Sequence, residues 1–422
     1  MRTECIKELL SASETVRVLE TIYPGDTQAQ IDRYLGLSEL YTANFGESEN
    51  LRFCSAPGRA EIAGNHTDHN NGRVLAAAVN LDTVAAAAPS GNSTVTLYSE
   101  GYETPFVVNL ENLQPIESEK NTTQALIRGV AAGMKNARRP IGGFNAYVTS
   151  SVFKGSGLSS SAAFEVMICQ VFDTLFGNGD LDAQQRAVIS QFAENRYFGK
   201  PCGLLDQMAS SVGGLVTMDF RDSPARIEAI SYDFAGKGFA PVVVSAGGDH
   251  GNLTDQYAAI PGEMKQVARA MGGEVLRDID RDTFWSSLPK LKSKVPDRAI
   301  LRAMHFYDED ARIPLMVEAL KNDDTMAFLR GIEESGESSW KLLQNLFVPG
   351  RDNQEMVLAL AMSQHILKGR GACRIHGGGF AGTILAFVPL AMLESYTDQM
   401  DSVFGRGACT VLSVRPTGPV SL

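Results

Sequence analysis

FKGSGLSSSAAFEV, residues 153–166, decides how this chain is read. The segment leading into it, NAYVTSSVF (145–153), has the β-branched and aromatic content and the period-two alternation of a strand. From Ser160 onward Phe164, Met167, Ile168, Val171, Phe172 and Leu175 recur at helical spacing, which predicts a helix with one apolar stripe. Gly155 and Gly157 lie between the two. Strand, glycine loop and helix start, in that order, make a natural phosphate cradle. Backbone N–H groups at a helix start lack partners and carry positive partial charge. A Walker loop would need Gly-Lys-Ser/Thr, and no lysine follows here; a dinucleotide fingerprint would need a third glycine where Ser160 stands. A serine-capped helix after a tight turn is the alternative.

Outward from this loop the elements are mixed. LRFCSAPG (51–58) reads as a strand ending in a Pro-Gly turn, and STVTLYS (93–99) as a second strand. LVTMDF (215–220) and APVVVSA (240–246) are short apolar strands. Residues 1–45 read as polar helical material, and 262–345 as charged helices broken at Pro289, Pro296 and Pro314. The chain ends with strand AGTILAFV (381–388), helix LAMLESYTDQM (390–400) and strand ACTVLSV (408–414). This mixture predicts α+β lobes rather than one doubly wound sheet. With 422 residues, two domains are expected, and the boundary is placed near residue 220.

Composition removes several function classes. A hydrophobic content of 44% with 21% charged residues is that of a globular chain with real cores. A net charge of −11 argues against general binding to nucleic acid or anionic membrane, while a local basic pocket remains open. The six cysteines are scattered without a CxxC pair, which suits a reducing cytoplasm. The charged N-terminus is not a signal peptide, and no apolar run is long enough for a membrane helix.

Two more clusters carry chemistry. GNHTDHNNGRVLAAAV (64–79) packs histidines, an aspartate and asparagines ahead of small apolar residues. It suits a pocket for a hydroxyl-rich ligand, and His66, Asp68 and His69 could instead chelate a metal. RIHGGGFAG (374–382) places three consecutive glycines directly before a strand, an entropic cost that implies a close backbone approach.

Four motifs together resemble one family. APGRAEIAGNHTDHNNGRV resembles the N-terminal signature of galactokinases, KGSGLSSSAA the ATP loop of the GHMP kinase superfamily, and RIHGGGFAGT its glycine-rich third motif. PCGLLDQMAS (201–210) resembles the galactokinase segment that carries the catalytic aspartate. Order and spacing agree from about residue 50 to the C-terminus.

The resemblance implies a two-lobed GHMP kinase fold, with residues 1–220 holding the sugar signature and phosphate loop and 221–422 the third motif. The active site would lie in the cleft between the lobes. Asp206 would be the base that takes the proton from the anomeric hydroxyl, with Arg59 stabilising charge beside it. Ser161 and Glu194 would hold Mg²⁺; Gly155, Ser156, Gly157, Leu158, Ser159, Ser160 and Ser161, with Ser99, would bind ATP. Asn65, His66, Asp68, Gly203 and Tyr257 would face the sugar. A cytoplasmic, monomeric enzyme acting on ATP and a small sugar is expected, making galactose 1-phosphate and ADP. A carboxylate beside a guanidinium stays ionised and can accept a hydroxyl proton as phosphoryl transfer proceeds, so the chemistry agrees independently.

The sequence departs from the family mainly where a substrate is recognised. Asn65 stands for the usual glutamate that contacts the 6-hydroxyl, Glu61 for asparagine and His69 for tyrosine. Phe153 replaces a proline, Asp249 precedes His250 where a basic residue is common, and the double arginine after Tyr257 is missing. A 1-kinase for galacturonate or N-acetylgalactosamine is therefore a second expectation; plant galacturonokinases also lack that glutamate. A non-catalytic sugar sensor is a third, disfavoured by the intact Ser161-Ala162-Ala163 and Asp206.

Overall fold

The computed structural model describes residues 3–152, 157–247, 253–380 and 382–422. Three helices open the chain, α1 (Thr3–Ser11), α2 (Ser13–Ile22) and α3 (Thr27–Phe45). Strands β1 (Arg52–Ala63), β2 (Arg73–Pro89), β3 (Thr94–Ser99) and β4 (Phe106–Asn109) follow, then α4 (Thr123–Asn136), β5 (Phe144–Ser150), α5 (Ser160–Phe176), α6 (Ala183–Ala193) and α7 (Leu205–Val212). A hairpin of β6 (Leu215–Asp219) and β7 (Arg226–Ile230) leads to β8 (Phe239–Gly247).

A helical stretch comes next: α8 (Thr254–Ala270), α9 (Arg281–Ser286), α10 (Leu288–Leu291), α11 (Asp297–Lys321), α12 (Thr325–Ser338) and α13 (Glu355–Leu367). The chain closes with β9 (Ala372–His376), β10 (Gly382–Pro389), α14 (Leu393–Phe404), β11 (Cys409–Val411) and β12 (Val420–Ser421). Two sheets result. The first runs β12-β1-β2-β5-β3-β4 with the β6–β7 hairpin on β2, and the second runs β11-β8-β10-β9. The α+β expectation therefore holds. No helix among the described residues is long and apolar enough to cross a membrane.

The run Val84–Ala88 explains the layering of the first lobe. Side chains alternate across a strand, so Val84, Ala86 and Ala88 meet Tyr34, Leu37 and Tyr41 of α3, while Ala85 and Ala87 meet the cluster that includes α4 and α5. Both faces are covered, which is why the run is apolar without alternation. In the second lobe α13 and α14 cover one face of the sheet, and α11 and α12 lie against the other. That second core is continuous with Ala60, Ile62 and Leu75 of the first sheet.

Two expectations need correction. β1 does not end at Pro57-Gly58; it passes through a register shift there and continues to Ala63, since a bulge dispenses with the proline N–H. Pro314 does not break α11, because Ile313, Met316, Val317 and Leu320 are all buried against the second sheet and offset the lost hydrogen bond. Residue 220 falls inside the first sheet, between the paired strands β6 and β7; the second sheet begins at Phe239, and β12 returns to pair with β1.

The N-terminal helices are fastened by a buried charge. Asp82, on β2, accepts from Arg33 Nη1 at 2.8 Å, Ser55 Oγ at 2.5 Å, Arg415 Nη1 at 3.2 Å and the Tyr23 hydroxyl. Burial alone would raise its pKa, but the two arginine charges outweigh burial and hold it below the ordinary carboxylate value. One carboxylate thus joins α2, α3, β1, β2 and the C-terminal segment. Asp82→Ala is expected to cost about 3–5 kcal/mol in urea unfolding of the full chain, because it strands a buried arginine. A loss below about 1 kcal/mol would mean that apolar packing alone holds these helices.

Candidate active site

Arg59 reaches the cleft because β1 bulges between Pro57 and Arg59. Its backbone N–H donates to Leu158 O at 3.1 Å, and Ser210 Oγ of α7 donates to Pro57 O at 2.7 Å. The same bulge therefore fixes the loop before α5 and the helix α7. Arg59 Nε lies 2.7 Å from Asp206 Oδ1, Ser159 Oγ donates to Asp206 Oδ2 at 2.6 Å, and the guanidinium also donates to Gly157 O. Arg59 is buried, whereas the Asp206 side chain keeps 30% exposure and opens to the cleft. Burial would raise the Asp206 pKa; the charge and hydrogen bond of Arg59, with the Ser159 hydroxyl, outweigh it and hold the carboxyl below its ordinary value. Its place in the first turn of α7 works in the same direction.

Beside this pair lies an oxygen-rich corner. Ser161 Oγ, in the first turn of α5, donates to Glu194 Oε1 at 3.0 Å. Glu194 begins a single π turn, residues 194–198, after α6. Gln207, buried in α7, donates from Nε2 to Glu194 Oε2 at 2.7 Å and Glu165 Oε2 at 3.2 Å. Burial, and then the Glu194 charge, raise the Glu165 pKa well above the ordinary value. A hydroxyl and a carboxylate side by side are hard oxygen donors of the kind Mg²⁺ takes, one or two carboxylates with phosphates and water completing the shell. The residues present fit that ion.

Gly155 and Ser156 lie outside the described residues. Gly157 has φ +71°, and a Cβ there would run into the Thr383 and His376 side chains, so this position requires glycine. Leu158 is buried, Ser159 holds a left-handed φ of 58°, and Ser160 is the first residue of α5. Ser99 sits at the end of β3 beside Val148 of β5, its carbonyl accepting from Tyr102 N at 3.1 Å; these contacts belong to the sheet and not to the Arg59–Asp206 centre.

The opposite wall comes from residues 61–69, 203, 257 and 374–380. Asn65 is 1% exposed. Its Nδ2 donates to Glu61 Oε1 and to Gly377 O, both at 2.8 Å, and its Oδ1 accepts from Asn345 Nδ2 at 2.8 Å. Two acceptor-only partners fix which way the amide points. Asn65 is thus not an open donor toward a ligand, as the motif implied; one lone pair on Oδ1 is its remaining capacity. Arg374, fully buried, closes the cluster at 3.0 Å from Glu61 Oε1. The departures at 61 and 65 are one exchange, with amide and carboxylate trading places while still bonded to each other.

His66 has φ 59° and turns its Nε2 to Gly378 O at 3.0 Å; burial, with His69 beside it, lowers its pKa. The His66 and His69 rings stack 5.7 Å apart. Asp68 presses its carboxylate on Gly203, where a Cβ would overlap it. Tyr257 donates to Gly379 O at 2.9 Å with its ring against Gly378. The structure therefore brings His66 and Tyr257 to the third glycine motif and sets Asp68 against Gly203. His250 and Asp249 lie outside the described residues.

Several participants had no signal in the sequence. Asn345 is 280 residues from Asn65, and His305, which donates from Nε2 to Asn65 O at 2.9 Å, sits in a long charged helix. His376 was in view inside RIHGGG but unread. Its Nε2 accepts from Glu61 N at 3.2 Å, which leaves Nδ1 carrying the proton toward Thr383 Oγ1 at 3.1 Å, under the phosphate loop.

Known proteins are similar to this chain in sequence and fold. A family model described as galactokinase galactose-binding signature matches residues 39–89, and one described as GHMP kinases N terminal domain matches residues 125–214. The galactokinase of Streptomyces coelicolor is 29% identical over 354 residues, covering 83% of this chain and 88% of its own. The structure of Lactococcus lactis galactokinase complexed with galactose has a TM-score of 0.81 at 20% identity, over 92% of this chain and 100% of that one. Methanococcus jannaschii mevalonate kinase has a TM-score of 0.62 at 14% identity, over 87% and 99%. These matches make the chain similar to galactokinases, with residues 125–214 matched by the GHMP kinase N-terminal domain.

Proposed function

We propose that this protein transfers the γ-phosphoryl group of ATP to the anomeric hydroxyl of galactose. The observation that carries this reading is the Asp206 carboxylate, held ionised by Arg59 at 2.7 Å and open to the cleft beside Ser161 and Glu194. A sugar hydroxyl replaces Ser159 as the donor to Oδ2. As its O–H bond yields to Asp206, the oxygen forms a bond to Pγ, the bond from Pγ to the β–γ bridging oxygen breaks, and ADP leaves. Arg59 keeps Asp206 ionised until the proton moves. Ser161 and Glu194 would hold Mg²⁺, which when bound neutralises charge on the phosphates. His66, Asp68, Gly203 and Tyr257 form the wall that orients the sugar.

Asp206→Asn keeps the shape but cannot take the proton. Its kcat is expected to fall at least 10²-fold, the usual scale for losing a general base, with ADP affinity within a few-fold of wild type. A coupled ADP-release assay and nucleotide titration measure the two. Retention of more than half the wild-type rate would contradict the assignment.

Galactose is favoured over galacturonate by the state of Asn65. Its donor hydrogens are consumed by Glu61 and Gly377, so what it can still offer is an acceptor. An acceptor suits a hydroxyl at C6 and opposes a carboxylate. The wild-type kcat/KM for galactose is expected to exceed that for galacturonate by about 10²-fold or more, since a buried unmatched contact of this kind costs several kcal/mol. Equal efficiency on the two sugars would rule out this role for Asn65 while leaving the kinase reading in place.

A further inference from the structure

Lys200 belongs to no family motif quoted above, yet it enters the cleft. The N–H groups of Gly199 and Lys200 both donate to Glu194 O, at 3.0 and 3.2 Å, closing the π turn. The Lys200 side chain then doubles back, placing Nζ 3.3 Å from Glu194 Oε1. Glu194 therefore has two distinct oxygens. Oε2 is gripped from behind by the buried Gln207 amide, while Oε1 faces Ser161 and Lys200. The Lys200 side chain is 60% exposed, and among the described residues Glu194 is the group that holds its ammonium. Its charge also reaches Asp206 and Tyr257, the proposed base and a proposed sugar contact. Arg59, by contrast, is occupied with Asp206 and Gly157 O.

We propose that Lys200 is a second cation for the transferred phosphoryl group, leaving Glu194 when metal and nucleotide bind and donating to a γ-phosphoryl oxygen. The proposal rests on the kinase reading above. It follows from competition at one atom. A divalent ion at Ser161 and Glu194 takes the oxygen that Lys200 now holds, and the freed ammonium lies between base and phosphate loop. A lysine is suited to this, being a compact charge on a flexible stem. No bond to Lys200 forms or breaks during transfer; its charge balances the oxygens of the moving group.

The test uses full-length wild type, Lys200→Met and Lys200→Arg. With Mg²⁺ present and no sugar, so without transfer, titrations give Kd for ATP and for ADP. The ATP-over-ADP preference is expected to fall about 10-fold in Lys200→Met and to return in Lys200→Arg, the scale of one charge-assisted hydrogen bond. With Mg²⁺ and galactose, kcat is expected to fall roughly 10²-fold in Lys200→Met while the sugar KM moves less than about threefold. An unchanged ATP-over-ADP preference in Lys200→Met overturns the proposal, as does a loss that arginine leaves unrepaired. If wild type phosphorylates no sugar while the preference still falls, the kinase reading fails and the phosphate contact stands. If wild type turns over normally and the preference is unchanged, the reverse holds.

Discussion

A guanidinium without a counter-charge cannot be buried at reasonable cost, and Arg59 is buried. Its partner Asp206 lies 147 residues away on another element, so the 2.7 Å contact between them constrains much else. β1 has to bulge at Pro57, α7 has to be pinned to that bulge by Ser210, and the phosphate loop has to present Gly157 O and Ser159 to the pair. Each requirement sets backbone where the chemistry needs it. The ionised state of Asp206 is a consequence of the same contact.

A second buried polar layer closes the other side of the cleft. Glu61, Asn65, Arg374, Asn345 and His305 come from β1, its following turn, β9, the segment before α13 and α11, so the cluster joins the two sheets. A network of this kind is worth keeping only if its members are matched, since one unmatched carboxylate or guanidinium would cost several kcal/mol. The exchange of carboxylate and amide at 61 and 65 keeps the match while changing what the wall can offer a ligand. In the proposed reading the side chains that join the two sheets also face the sugar, and the galactose preference follows from hydrogen-bond capacity rather than from pocket size.

Much of this was legible in the sequence, for identifiable reasons. Periodicity announced the strand leading to 153 and the helix from Ser160, and the motifs containing Arg59 and Asp206 named two residues that lie 2.7 Å apart. β1 was read too short because Pro57-Gly58 signals a turn, and only the bulge against Leu158 shows why the strand continues. Pro314 misled in the same way, its local cost being overridden by burial on both sides. Long-range partners were invisible. Nothing near Asn345 or His305 announces a contact with residue 65, and without those contacts Asn65 looked free to face a sugar. Lys200 lies just outside the quoted motifs, and nothing in its neighbours' sequence announces the contact with Glu194.

The central claim is that Arg59 keeps Asp206 ionised so that it can accept the proton, and the acid limb of the pH–rate profile tests it most directly. Arg59 lowers the Asp206 pKa against the opposing effect of burial. Activity should then be present above that lowered pKa and fail only as pH drops through it. In wild type the acid limb of kcat/KM is expected to stay below about pH 4, the ordinary aspartate value. Removing the charge in Arg59→Gln leaves burial unopposed, so the limb should move upward by more than one pH unit in the residual activity. An acid limb at the same pH in both proteins would contradict the account.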